Sequence, residues 1–150
     1  MASIADLIGE ISTRTVPLRG KAVVLRAVPA RTISLLRQAF PVPVPPKVPD
    51  AMAGTNAGRF VNDECDAAYI RAHSEWSRRM LYTEVAMAMD LEPAGTHSSA
   101  HDVKTVDEMR TWAELAHAEI LVLTDIELHR LAKEIDGLSI ASVEMEAKKG

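Results

Sequence analysis

Residues 62–91 read NDECDAAYIRAHSEWSRRMLYTEVAMAMDL, a stretch that contains neither glycine nor proline. Acidic residues crowd its first turns, where the helix dipole favours negative charge, and Asn62 is a suitable N-cap. Apolar residues recur along it at the spacing of one broad helical face. The stretch therefore predicts one long helix from Asn62 to about Leu91. The width of its apolar face predicts a central position in a mainly helical fold.

Further helices are predicted on both sides of this one. Thr105-Val-Asp-Glu108 and Thr124-Asp-Ile-Glu127 have the Thr-x-x-Glu spacing of a capping box, and the second box restarts a helix after a bend. Gly137 is expected to end that helix as its C′ residue, with a weak last helix over residues 138–147. Residues 3–11 carry apolar residues at helical spacing and predict a short N-terminal helix.

The hydrophobic pattern changes to that of strands upstream of the long helix. Residues 15–28 predict a β-hairpin whose turn is Arg19-Gly20-Lys21. A helix is predicted over residues 30–40. It has to stop at Phe40, because Pro41 disfavours helical backbone in the residue before it.

Proline divides the chain into three parts. Residues 41–49 read PVPVPPKVP, which favours extended polyproline II backbone, and small residues follow. The predicted fold class is mainly α with a small N-terminal β-hairpin (α+β) and a helical bundle-like C-terminal part. The predicted parts are a hairpin and helix unit (1–40), a proline-rich linker (41–61) and a helical domain (62–150).

Length and composition indicate a single domain and argue against a disulfide-bonded, membrane-spanning or secreted protein. The chain has 150 residues, the size of one domain, and its single cysteine, Cys65, excludes an intramolecular disulfide. No apolar run approaches the roughly 20 residues that span a bilayer. The N-terminus lacks the pattern of a signal peptide. A soluble protein of the cytoplasm is therefore expected.

Charge is distributed unevenly along the chain. Residues 1–49 carry seven basic and two acidic residues, a net charge of +5, whereas residues 50–150 have a net charge of −9. A basic segment is compatible with nucleic-acid binding. We favour the alternative, in which the two parts attract each other or the arginines are solvated, because no aromatic residue interleaves with the arginines for base stacking.

Residues capable of chemistry are sparse. His97 and His101 are four positions apart, as in zinc-binding helices, but they fall in a serine-rich loop without the glutamate of metalloproteases. Cys65 lies near a predicted helix N-terminus, yet the acidic residues beside it oppose a thiolate. Glu114 and His117 have di-iron spacing once, without the second copy that such a site needs. We expect no enzyme activity, metal or cofactor.

The candidate partner-binding residues are Trp76, Met80, Met87 and Trp112. Tryptophan anchors interfaces, and methionine offers adaptable apolar contacts. The same residue types at helical spacing also suit core packing, so both interpretations stay open. The proline run suits a rigid spacer, which we favour, or a ligand for an aromatic groove.

The order of parts over residues 14–91 resembles the tail assembly chaperones of long-tailed bacteriophages. A β-hairpin from Thr15 to Val28 is followed by a small helix that ends at a Phe-Pro step, Leu35-Leu-Arg-Gln-Ala-Phe-Pro41, and then by a helical remainder. Such chaperones are commonly made in two forms by a minus-one ribosomal frameshift on a run such as A-AAA-AAG, which encodes Lys-Lys. Lys148-Lys149 stands one residue before the end of this sequence.

The resemblance implies a non-enzymatic protein of the host cytoplasm that is absent from the mature virion. Its short form would coat the tape measure protein, and its long form would also recruit tail tube subunits. The alternatives are a structural head–tail or tail component of a phage particle, and a small nucleic-acid-binding regulator that uses residues 14–37. The sequence leaves the oligomeric state open, including a homo-oligomer.

Overall fold

The first described element is the predicted β-hairpin. The computed structural model describes residues 13–50, 58–96 and 98–149, with side chains up to residue 138, and the helix predicted over residues 3–11 lies outside them. Strand β1 (Thr13–Leu18) pairs antiparallel with β2 (Lys21–Arg26). Arg19 and Gly20 both have positive φ, 50° and 78°, as a two-residue type I′ turn requires.

Helix α1 (Ala30–Ala39) follows the hairpin and confirms the prediction for this segment. Pro29 precedes its first turn, and the C-cap Phe40 donates its backbone N–H to Leu36 O at 3.0 Å. The following proline prevents any continuation. The helix buries Leu36 and Ala39 against the rest of the protein.

A second, smaller hairpin lies within the segment that was predicted as a linker. Strand β3 (Lys47–Pro49) pairs antiparallel with β4 (Phe60–Asn62), with Val48 opposite Val61. Extended backbone is present at the end of the proline segment, in β3, but its pairing with residues 60–62 was not predicted. Proline tolerates a place in such a strand wherever its missing N–H would point away from the partner strand.

The long helix is shorter than its sequence indicated. Helix α2 spans Ala67–Ala88, and its N-cap is Asp66, which accepts from Tyr69 N–H at 2.9 Å. The predicted N-cap, Asn62, instead ends β4. The C-terminal end also comes early, because Asp90 adopts left-handed backbone with φ 58°.

Both predicted boxes stand at helix starts; the second has both hydrogen bonds of a capping box, whereas Glu108 in the first accepts from Lys104 N–H at 3.1 Å and not from Thr105 N–H. A short 3₁₀ turn (Ala100–Asp102) leads to α3 (Val106–Ile120), where Thr105 Oγ1 accepts from Glu108 N–H at 3.1 Å. At the start of α4 (Asp125–Lys149), Thr124 Oγ1 accepts from Glu127 N–H at 3.2 Å, and Glu127 Oε1 accepts from Thr124 N–H at 3.0 Å.

The prediction that Gly137 ends this last helix is wrong, because α4 continues to Lys149. A β-carbon at position 137 would lie 3.3 Å from Arg14 Nη1. The glycine therefore leaves room for the arginine, which crosses the helix to reach Glu134 at 2.9 Å. A tertiary contact, rather than a helix end, accounts for this glycine.

The core lies between the helices and one face of the first hairpin, and the fold is mainly α with small β-hairpins (α+β), as predicted. Helix α3 packs against α1 and α2, while α4 packs against α2 and β1. Trp112 and Tyr82 are the largest side chains that are almost fully buried. The aliphatic remainder includes Leu25, Leu36, Val85, Met87, Met109, Leu128 and Leu131.

Candidate partner-binding surface

The first turns of α2 carry a row of rings that the core does not cover completely. Tyr69, His73 and Trp76 lie four and three residues apart, on one helical face. The Tyr69 and His73 ring centroids are 5.8 Å apart, and those of His73 and Trp76 are 5.7 Å apart. All three side chains are partly buried. We call this row the aromatic stripe.

Trp76, at the C-terminal end of the aromatic stripe, is held in place by contacts with the end of α1. Its indole Nε1–H donates to Phe40 O at 2.8 Å, which joins α2 to the end of α1. The Arg79 guanidinium lies over the Phe40 ring, with Cζ 4.5 Å from the ring centroid, in a cation–π contact. The indole is therefore a fixed, amphipathic group at the surface, which is the kind of residue that anchors protein interfaces.

The pKa values of two titratable side chains on α2 and α3 are shifted by burial. Burial lowers the pKa of His117, and the Arg79 charge lowers it further. Burial likewise raises the pKa of Glu84, with Arg37 opposing the shift and Asp136 adding to it. Both shifts favour the uncharged form of the side chain, as burial does for ionisable groups in general.

Exposed apolar side chains accompany the aromatic stripe along the chain. Ile70, on the next position of α2, is 50% exposed. The two segments that precede α2 contribute Val42, Val44, Phe60 and Val61. A separate exposed group lies at the turn between α3 and α4 and consists of Leu121, Val122 and Ile126. Exposed apolar side chains are candidates for contact with a partner where they lie together on the surface.

The structure separates the four predicted partner-binding residues. Trp76 lies in the aromatic stripe, whereas Met80, Met87 and Trp112 are buried in the core. Trp112 Nε1–H donates to Ser98 O at 3.0 Å, so the polar atom of this indole is satisfied internally. In this fold, only Trp76 among the four presents surface to a partner. Sequence reasoning missed Tyr69 and Ile70, although their spacing from Trp76 on a helix was available.

The basic N-terminal part is bound to the acidic remainder. Among the described residues, three ion pairs join them, at distances of 2.7–2.9 Å: Arg14 with Glu134, Arg19 with Glu127, and Arg26 with Asp90. Asp90 Oδ1 also lies 3.2 Å from His101 Nε2. The favoured interpretation of the charge asymmetry, mutual attraction, is confirmed for these arginines. Each of them has a carboxylate of the same chain as its partner.

The described candidate metal and nucleophile residues form no metal-binding group. His101 lies in the 3₁₀ turn, and His97 is outside the described residues. Cys65 is exposed, and its backbone N–H donates to Asp63 Oδ1 at 3.1 Å. Across the described parts of the chain, no group of three or more His, Cys, Asp or Glu residues could hold a metal ion.

Comparison with known proteins gave no relatives. No family model matches the chain, and no curated protein or solved structure matches it either. Within the ranges that the structure describes, no helix is both long enough and apolar enough to cross a membrane. The exposed surfaces and the order of the elements are therefore the features that bear on function.

Proposed function

We propose that this protein is a non-enzymatic tail assembly chaperone of a long-tailed phage. It binds the tape measure protein in the host cytoplasm, helps to recruit tail tube subunits, and leaves before the particle matures. The observation that carries the proposal is the aromatic stripe of α2, a row of partly buried rings beside the exposed Ile70.

The order of the elements supports the proposal. The chain has a β-hairpin, then a small helix that ends at the Phe40-Pro41 step, then a set of longer helices. The tail assembly chaperones that the sequence resembles have the same order of parts. The Phe40 carbonyl of that step is also the acceptor that fixes Trp76. The feature that supports the resemblance and the candidate surface are thus in direct contact.

The geometry of the aromatic stripe suits a helical partner. Rings at positions i, i+4 and i+7 form a ridge along one helix face, and such a ridge packs into the groove of an adjacent helix. A tape measure protein is a long helix that exposes apolar surface before the tube forms around it. A chaperone for it has to cover that surface and then release it. A short ridge of partly buried rings provides binding that is specific and reversible.

A matched pair of isoleucine variants tests the surface. Purified chain is mixed with the tape measure protein encoded beside it, and binding is measured by calorimetry. Ile70→Asp introduces a charge next to the aromatic stripe, and we expect it to weaken binding about tenfold or more. Ile126→Asp makes the same change at the α3–α4 turn, where Ile126 is 82% exposed, and should leave binding unchanged. Equal effects of the two variants would contradict this surface assignment.

Particle composition separates the proposal from a structural role. A chaperone should bind the tape measure protein in infected cells and be missing from purified virions. A head–tail or tail component should remain in the virion at a fixed copy number. Detection of the chain in mature particles by mass spectrometry would therefore favour the structural alternative.

A further inference from the structure

The hydrogen bonds beside the second hairpin determine which of its backbone groups are free. Asp50 N–H donates to Arg59 O at 2.9 Å, and Asp63 N–H donates to Pro46 O at 2.7 Å. Hydrogen-bonded and non-hydrogen-bonded pairs alternate along an antiparallel ladder. The two bonds above belong to the pairs just beyond each end of the ladder. Alternation therefore makes the middle pair, Val48 with Val61, hydrogen-bonded, and the two outer pairs of β3 and β4 non-hydrogen-bonded.

These outer pairs are Pro49 with Phe60 and Lys47 with Asn62. The backbone N–H and C=O groups of Phe60 and Asn62 therefore point away from β3, and no described residue forms a hydrogen bond with them. On β3, Pro49 has no N–H to offer at its outer edge. Within the described parts of the chain, the hairpin thus has one edge interrupted by proline and one edge open to a further strand.

We infer that the open edge of β4 is a self-association site. There, β4 of a second copy pairs antiparallel about a two-fold axis that passes through Val61. Phe60 of each copy then lies opposite Asn62 of the other, and their outward N–H and C=O groups bond across the axis. The two hairpins join into one sheet in the order β3-β4-β4-β3.

Charge complementarity favours this register and this occupant. With Val61 on the axis, Arg59 of each copy lies opposite Asp63 of the other, in a non-hydrogen-bonded pair whose side chains are close. The Arg59 side chain is 65% exposed, and its Nε lies 3.9 Å from Asp50 Oδ2, so it has freedom to make the new pair. The same strand therefore carries both the positive and the negative residue of each intermolecular ion pair, as an isologous interface requires.

Apolar side chains gain cover from the same pairing. Phe60 is 56% exposed and Val61 37% exposed. About the axis, the two Val61 side chains face each other, and the two Phe60 rings lie diagonally opposite, within reach of one another. Strands of three residues in an isolated two-stranded ribbon are marginally stable, and the wider sheet removes that weakness.

Two proline variants of the full-length chain test the open edge of β4. Light scattering after size exclusion measures the mass, and sedimentation measures the dissociation constant of the dimer. Unaltered protein should reach twice the monomer mass of 16.4 kDa. Asn62→Pro removes an outward N–H without breaking the β3–β4 ladder, and should raise the dissociation constant about tenfold or more, because each copy loses one inter-strand bond. Lys47→Pro removes an outward N–H from the other edge and should leave the dimer intact.

Charge reversal gives a second test that does not depend on proline. Arg59→Glu and Asp63→Arg should each weaken the dimer, and the two together should restore it, because the reversed charges still face each other across the axis. A monomer at every concentration overturns the inference, even if that monomer binds an extended peptide from another protein at the same edge. A dimer that responds equally to both proline variants, or that the double reversal fails to restore, overturns it as well.

Discussion

Arg19 and Glu127 form a bidentate ion pair, with Nε 2.8 Å from Oε2 and Nη2 2.7 Å from Oε1. Arg19 lies in the turn of the first hairpin, and Glu127 lies in the first turn of α4. The same carboxylate accepts from Thr124 N–H, so one side chain both caps the helix and holds the hairpin. The basic charge of the N-terminal part is used here to fix its position on the acidic helices.

The Arg19–Glu127 pair predicts an acid-sensitive stability. The Arg19 hydrogen bonds, aided by Thr124, lower the pKa of Glu127 from 4.5 to about 2. Because the folded pKa lies below the unfolded one, the pair stabilises the protein fully above about pH 4.5. That contribution is lost as the pH falls towards 2. Arg19→Gln should therefore lower the free energy of unfolding in urea at about pH 6, and the deficit should shrink by about pH 3.

A second arginine provides the control for this experiment. Arg31 is exposed and forms no ion pair with any described residue, so Arg31→Gln should change stability little at either pH. High salt should reduce the Arg19→Gln deficit, since the pair is at the surface. A deficit that is equal at both pH values would show that Arg19 acts through its place in the turn and not through Glu127.

The two tryptophans should behave differently in solution. Trp112 is 1% exposed, whereas Trp76 is partly exposed in the aromatic stripe. Acrylamide should quench the fluorescence of Trp76 in the Trp112→Phe variant more strongly than that of Trp112 in the Trp76→Phe variant. Trp112→Phe should also cost about 1–3 kcal/mol of unfolding free energy, because it leaves a small void and removes the hydrogen bond from the indole to Ser98 O. Equal quenching of the two indoles would contradict the placement of the aromatic stripe.

The capping box of α4 gives a third prediction. Thr124→Ala removes the oxygen that accepts from Glu127 N–H and should cost about 1 kcal/mol of unfolding free energy. Thr124→Ser keeps that oxygen and should retain most of the stability. Denaturant unfolding of both variants measures the difference. If the serine variant lost as much as the alanine variant, the effect would come from the methyl group and not from the cap.

Local signals explain most of what the sequence predicted correctly. The hairpin turn at Arg19-Gly20 and the helix starts at both predicted capping boxes depend on residues within four positions of one another, and the structure has them in place. The first residue of α2 was missed because Asn62, Asp63 and Asp66 are all suitable N-caps. Asn62 is excluded as the N-cap only by its pairing in β4, which the local sequence does not indicate.

Contacts between distant residues account for the remaining differences. The pairing of Pro49 with Phe60 joins segments across the hairpin's loop, and no local pattern announces it. Gly137 was taken for a helix end because Arg14, which the glycine accommodates, lies far from it in the sequence. The burial of Met87 depends on which face of α2 the other helices cover. Candidate binding residues chosen by type alone were therefore divided between core and surface.

The pair Lys148-Lys149 makes a prediction about the gene. If the protein is a tail assembly chaperone of the resembled kind, its codons there should form a slippery heptamer such as A-AAA-AAG. An overlapping minus-one frame and a long tape-measure gene should follow. Mass spectrometry of infected cells should then find a peptide that crosses into the second frame. Synonymous codons that remove the run should abolish the long form and leave the short form's sequence intact. Ordinary codons without an overlapping frame would remove this support, and the proposal would then depend on the aromatic stripe and on the order of the elements.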